Sequence, residues 1–198
     1  QLTRTDKILL KILNRQCNTI ITVSENLKKN LQELNIIKPI EVIYNAVDPT
    51  VFKPINNHRP KNPFKFLHVS TLDEKSKNIT GILKAIDKLN RIGNSFIFTF
   101  VSDGDIQTLM QKIEKFVIDK SNIKVIGEVE QKKLSEIYNE HDCLVMFSNY
   151  ENMPCVIEEA LCCGIPVIAT KVGGIPEVIH NFNGILIEPD NIDELVNK

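Results

Sequence analysis

Residues Phe147–Glu177 read FSNYENMPCVIEEALCCGIPVIATKVGGIPE, and the fold follows from how this stretch divides. It begins at the end of a short apolar run, Leu144–Phe147, of the length of a buried strand. A polar loop, Ser148–Asn152, leads to Pro154, which suits the first position of a helix because its missing N–H has no partner there anyway. That helix should run to about Cys163, where Gly164 supplies a left-handed stop. Ile165–Thr170 is again apolar and rich in β-branched residues, a second buried strand. Strand, loop, helix and strand make a right-handed βαβ unit. In such sheets ligands collect at the carboxyl ends of the strands, where Glu151 sits.

Two carboxylates stand out. At about 100° per residue, Val156, Ile157, Ala160, Leu161 and Cys163 share one helix face. Glu158 then points nearly opposite that face, and Glu159 falls nearer its border. A rise of roughly 1.5 Å per residue puts Glu159 about 7–8 Å beyond the first turn. A ligand could therefore seat an anion on the helix N-terminus and a hydroxyl-bearing group beside Glu159. On spacing alone the favoured reading is plainer: Glu151 is a loop residue favourable to the helix dipole, and Glu158 and Glu159 are solvated helix positions.

Length and composition narrow the class. The 198 residues suffice for one large domain or for a domain and part of another. A content of 42% hydrophobic and 25% charged residues is that of an ordinary soluble globular protein. A formal net charge of −1 supplies no general attraction for nucleic acid or anionic lipid. No apolar run approaches the roughly 20 residues of a membrane span, no signal peptide is visible, and a cytoplasmic setting is expected. The five cysteines, Cys17, Cys143, Cys155, Cys162 and Cys163, form no C-x-x-C pair and read as small hydrophobes in a reducing compartment. Cys155, Cys162 and Cys163 with His141 are the one alternative, a metal cluster, which their spacing disfavours.

Outward from the opening unit, strands and helices alternate. Helical periodicity marks Lys7–Asn14, and Asn18–Val23 is a strand before a helix over Asn26–Leu34 capped by Ser24. Ile40–Tyr44 is another strand, and Asn56–Asn62 is a polar linker with a proline. From Phe64 the order is strand 64–69, loop 70–77, helix 78–91, strand 95–102, helix 106–118, strand 123–126, turn 127–129 and helix 132–139. After the opening unit come a strand at 184–187 and a helix from Asn191. This is an α/β fold, a Rossmann-like, doubly wound and mainly parallel sheet. The loop Ser70–Asn78 carries Lys75 and Lys77, either of which can neutralise a phosphate as a point charge or stand solvated. His68, His141 and His180 have no partner at diagnostic spacing.

Glu151 and Glu159-Ala160, with seven residues between the two glutamates, then CGIPVIATKVGGIPEVI and NGILIEP, resemble the donor-binding half of the family 4 (group 1) retaining glycosyltransferases of GT-B fold. TVSENLKKNL and VIYNAVDPTVFKP resemble the closing segment of the N-terminal, acceptor-side domain of that family. The resemblance implies that residues 1–55 are that closing segment, 56–62 a linker and 63–198 the donor-binding domain, with most of the acceptor-side lobe outside this sequence. It implies a nucleoside-diphosphate sugar as donor substrate, UDP- or GDP-linked, and a carbohydrate, lipid or small molecule as acceptor. No cofactor, metal or nucleic acid is implied, and peripheral contact of the parent protein with the inner face of a membrane stays open. The implied roles are Glu151 at the donor sugar, Glu159 on the ribose, backbone of Asn152, Met153, Pro154, Cys155 and Val156 near the diphosphate and sugar, and Gly127–Val129 beside the base. Ser70 and Thr71 belong to the donor loop, with Lys77 on the diphosphate. Where the family carries an arginine in that loop this chain has Thr71, leaving Lys75 or backbone amides to compensate. The alternatives are a non-catalytic nucleotide-sugar-binding fragment and a nucleotide-sugar 2-epimerase. A dinucleotide oxidoreductase is disfavoured because no G-x-G-x-x-G follows a strand.

Overall fold

The computed structural model describes residues 4–55 and 62–198, so the expected linker falls, apart from Asn62, outside the described residues. The first segment carries α1 (Arg4–Gln16), β1 (Ile20–Thr22), α2 (Glu25–Glu33) and β2 (Ile40–Val42). β1 and β2 pair in parallel, Ile20 opposite Ile40. Ser24 caps α2 as its sequence position predicts, its Oγ accepting the Leu27 N–H at 3.1 Å.

The second segment runs β3 (Phe64–Val69), α3 (Glu74–Lys77), α4 (Ile79–Ile92), β4 (Phe96–Val101), α5 (Ile106–Phe116), β5 (Ile123–Ile126), α6 (Gln131–Asn139), β6 (Cys143–Met146), α7 (Cys155–Cys162), β7 (Val167–Thr170), α8 (Ile175–Val178), β8 (Gly184–Ile187) and α9 (Ile192–Asn197). Its six strands form one parallel sheet in the order β5-β4-β3-β6-β7-β8. The strands are apolar on both faces because both are covered. On one side Ile82 and Ile86 of α4, Leu109 and Ile113 of α5 and Leu195 of α9 meet Phe98, Phe100 and Val145. On the other Ile137 and Tyr138 of α6, Ile157 and Ala160 of α7 and Ile175 of α8 meet Leu67, Leu144 and Val167. Leu144 and Val145 go to opposite sides, as the two-residue period of a strand requires.

The chain runs outward from β3 through β4 to β5, then returns to lay β6 against the other side of β3. The loops leaving the carboxyl ends of β3 and β6 therefore diverge, and the crevice between them is the ligand position of an open α/β sheet.

Two local expectations need correction. The stretch 70–77 is not loop throughout: Glu74–Lys77 forms α3, because the Asp73 carboxylate accepts the Ser76 N–H at 2.9 Å and so starts a helical turn that has no apolar period to betray it. Asn78 ends α3 in the left-handed conformation (φ 50°) and caps α4 through the Gly81 N–H. Pro154 is the N-cap of α7, one position earlier than expected, in extended backbone (φ −76°, ψ 117°). Gly164 ends that helix at φ 80°, as the sequence predicts. No helix of the described residues is long and apolar enough to cross a membrane.

Candidate functional site

The loop after β6 is held from every side. Thr170 Oγ1 donates to the Ser148 carbonyl at 2.6 Å, and the Asn149 N–H donates to the Ser76 carbonyl at 2.7 Å. Farther along, the Gly174 N–H donates to the Asn152 carbonyl at 2.7 Å, while Asn45 Nδ2, from the first segment, donates to the Met153 carbonyl at 2.8 Å. Gly173 lies directly under this loop at φ 56°, and a Cβ there would run into the Glu151 carbonyl. Glycine is required at that position on both counts.

That loop delivers Glu151 to the crevice. Its Oε1 lies 2.5 Å from Lys77 Nζ and accepts the Ser148 hydroxyl at 2.8 Å. The side chains are only 16% (Lys77) and 8% (Glu151) exposed, so this is a nearly buried ion pair. Two residues from separate motifs, 74 positions apart, thus meet across the switch point. Lys75 is not brought in: it is exposed, and its carbonyl serves to accept Asn149 Nδ2 at 3.0 Å.

α7 begins beside this pair. Pro154 gives it no side-chain cap, and although the Ile157 N–H donates to the Pro154 carbonyl at 3.1 Å, the Cys155 and Val156 N–H groups and the positive end of the helix dipole are open to an anion. Cys155 is exposed in that first turn, and burial followed by the nearby Glu158 and Glu159 charges pushes its thiol up, away from the nucleophilic thiolate. Glu159 is half-buried, its carboxyl raised by loss of water, and its Oε2 accepts the Tyr138 hydroxyl at 2.8 Å. Glu158 departs from the helical-wheel expectation of a solvated position, since its Oε2 is buried with no hydrogen-bond partner among the described residues. Burial, and then the charge of Glu159, raise its carboxyl as well.

Ser70, Thr71, Val129 and Val156 line a cavity of about 300 Å³ at the carboxyl ends of β3 and β4, together with Ser102, Asp103, Glu128 and Leu134. Gly127 faces a different depression, beside Ile106 and Met110 of α5, so only part of the 127–129 turn reaches the cavity.

Some of the site's supporting residues were not singled out from the sequence. His68 is fully buried, with Nδ1 2.8 Å from the Val145 carbonyl and Nε2 2.8 Å from Ser70 Oγ. Burial lowers its pKa to about 4, so the ring is neutral, and a carbonyl can only accept. Nδ1 therefore carries the proton, and Nε2 receives the Ser70 O–H. Ser70 Oγ in turn accepts the Leu72 N–H at 3.1 Å, bracing Leu72 at a positive φ of 61°. In the sequence Glu177 enters only within the quoted GGIPEVI stretch. Its carboxylate accepts the N–H groups of Glu25 and Asn26 at 2.9 Å each and the Tyr44 hydroxyl at 3.0 Å, so it fastens the Gly173-Gly174 loop to the N-terminus of α2. An i, i+4 apolar pattern in α6 marks Tyr138 as core, but no sequence signal names its partner. His141 is buried too, bonded to the Ile137 carbonyl and Thr99, whereas His180 is exposed.

Among other known proteins, the family Glycosyl transferases group 1 matches residues 52–198, and Glycosyltransferase Family 4 matches residues 1–51. An uncharacterized glycosyltransferase of Methanocaldococcus jannaschii is 30% identical over 195 residues, covering 97% of this chain and 51% of its own length. N-acetyl-alpha-D-glucosaminyl L-malate synthase of Bacillus anthracis is 28% identical over 192 residues, covering 91% of this chain and 49% of its own. The chain thus spans about half the length of the curated relatives it matches. Among solved structures, Anabaena HepE in complex with UDP and glucose superposes with a TM-score of 0.80 at 22% identity, over 99% of this chain and 56% of that one, a likeness of fold. With the parallel six-stranded sheet, the ligand crevice at its switch point and the family match over most of its length, the chain belongs to the group 1 glycosyltransferases, of GT-B fold.

Proposed function

We propose that the protein carrying this chain is a retaining hexosyltransferase that moves a sugar from a nucleoside diphosphate to an acceptor hydroxyl, and that residues 63–198 hold the donor. The observation that carries the reading is the convergence of Lys77, Glu151 and the uncapped N-terminus of α7 on one crevice. Negative charge builds on the diphosphate as the glycosidic bond breaks. Lys77 and the α7 N–H groups are fixed before reaction and would stabilise that charge without reorganising. Lys77 would exchange part of its pairing with Glu151 for the phosphate, and Glu151 would be released toward the sugar. Glu159 would accept from the ribose hydroxyls, and the cavity under Ser70 and Val129 has the place and polarity for the base. The name of the HepE structure, with UDP and glucose, supports a nucleotide-sugar donor of this kind. Residues 1–55 close the acceptor-side lobe in this reading.

The test is calorimetric titration of the protein with UDP-glucose and GDP-mannose, beside a transfer assay in which the anomeric configuration of the product is read by NMR. Binding of one donor and a product with the donor's own configuration support the proposal. Epimerised donor without transfer, or an inverted product, would contradict it.

A further inference from the structure

The Glu159 carboxylate is half-buried and reaches its position on a helix surface where a free side chain would sample several rotamers. One of its oxygens, Oε2, is fixed by the Tyr138 hydroxyl at 2.8 Å. The ring of Tyr138 is fully buried, edge-on to Phe52 with centroids 6.0 Å apart, so the phenol cannot turn to water. Its other acceptor among the described residues is the Val156 carbonyl at 3.3 Å, one helical turn before Glu159, and a single proton serves the shorter, charge-assisted bond. Oε1 has no hydrogen bond among the described residues and so remains for a ligand, and Val156, one turn before Glu159 on α7, lines the cavity.

We infer that Tyr138 is a positioning residue for the donor: it locks Glu159 so that one carboxylate oxygen faces the ribose hydroxyls of the nucleotide. This rests on the reading of Glu159 as the ribose ligand. The phenol suits the task because it is stiff and buried, and because its hydroxyl has no competing partner of equal strength. A stabilising role alone would tie α6 to α7 and make no distinction among ligands.

The experiment titrates the protein, its Tyr138→Phe and its Glu159→Gln variants with UDP and GDP and with their 2′,3′-dideoxy forms. The wild type should prefer the ribose form of the nucleotide it binds, and Glu159→Gln should remove most of that preference. Tyr138→Phe should cut the preference by roughly three- to tenfold and leave the dideoxy affinity unchanged. If Tyr138→Phe weakens ribose and dideoxy forms equally, or changes neither while Glu159→Gln abolishes the preference, Tyr138 is structural and the inference fails. If Glu159→Gln leaves the preference intact, the ribose reading itself fails, and the inference with it.

Discussion

The two loops that frame the crevice reach it by opposite means. The loop after β6 is a backbone device: Gly173 and Gly174 press against its carbonyls, Asn45 holds it from the first segment, and it opens into a helix whose free N–H groups face the crevice. The loop after β3 is a side-chain device, where Asp73 starts a turn, His68 and Ser70 brace a left-handed Leu72, and Lys77 reaches over to Glu151. The first belongs to the stretch whose motifs resemble the family pattern, and the second has Thr71 where that pattern carries an arginine. A site made of backbone donors constrains sequence through glycines and prolines. One made of side chains can trade its charges, provided a single cation stays correctly placed.

The largest expected effect comes from breaking the bridge between the loops. Lys77→Ala leaves Glu151, 8% exposed, with the Ser148 hydroxyl as its side-chain partner among the described residues, and should cost about 3 kcal/mol in urea unfolding. It should also weaken nucleotide binding by roughly ten- to hundredfold. The double variant Lys77→Met with Glu151→Gln should regain most of the stability and none of the affinity, which separates the fold from the site.

The next effect sharpens the β3 side through pH. His68 titrates near 4 in the folded protein against about 6.5 unfolded, so the unfolded chain binds more protons in between. Stability is complete above about pH 6.5 and falls as the pH drops towards 4, with about 2 kcal/mol lost at pH 5. His141 is lowered in the same direction, so the His68 share is read as the difference from the pH slope of His68→Gln. Smaller again, Thr71→Arg should return the missing charge to the cavity rim and tighten donor binding by roughly tenfold. Lys75→Ala, removing an exposed side chain with no described ion pair, should change binding and stability by less than about 0.5 kcal/mol.

The order of the elements was legible in the sequence because the strands are buried on both faces and read as unbroken apolar runs, and because Gly164 and the proline before α7 punctuate them. The resemblance assigned Lys77 and Glu151 to one donor site, since spacing alone left both as plausible solvated residues, but the ion pair between them was not foreseen. What escaped is tertiary. The wheel placed Glu158 away from the sheet, but a wheel cannot see what else covers a helix, and its Oε2 is buried. His68 has its partner two residues on, at Ser70, along a strand, a spacing common to countless exposed pairs and informative only once both are buried. Glu177 carried no sign of its capping role because the helix it caps lies 151 residues earlier.

The most direct test of the account is a crystal structure of the protein with UDP or GDP bound. The diphosphate should lie against Lys77 Nζ and the first-turn N–H groups of α7, with the ribose beside Glu159. A nucleotide seated elsewhere, such as the apolar cavity of about 360 Å³ between α4 and α9, with the crevice at Lys77 empty, would contradict it.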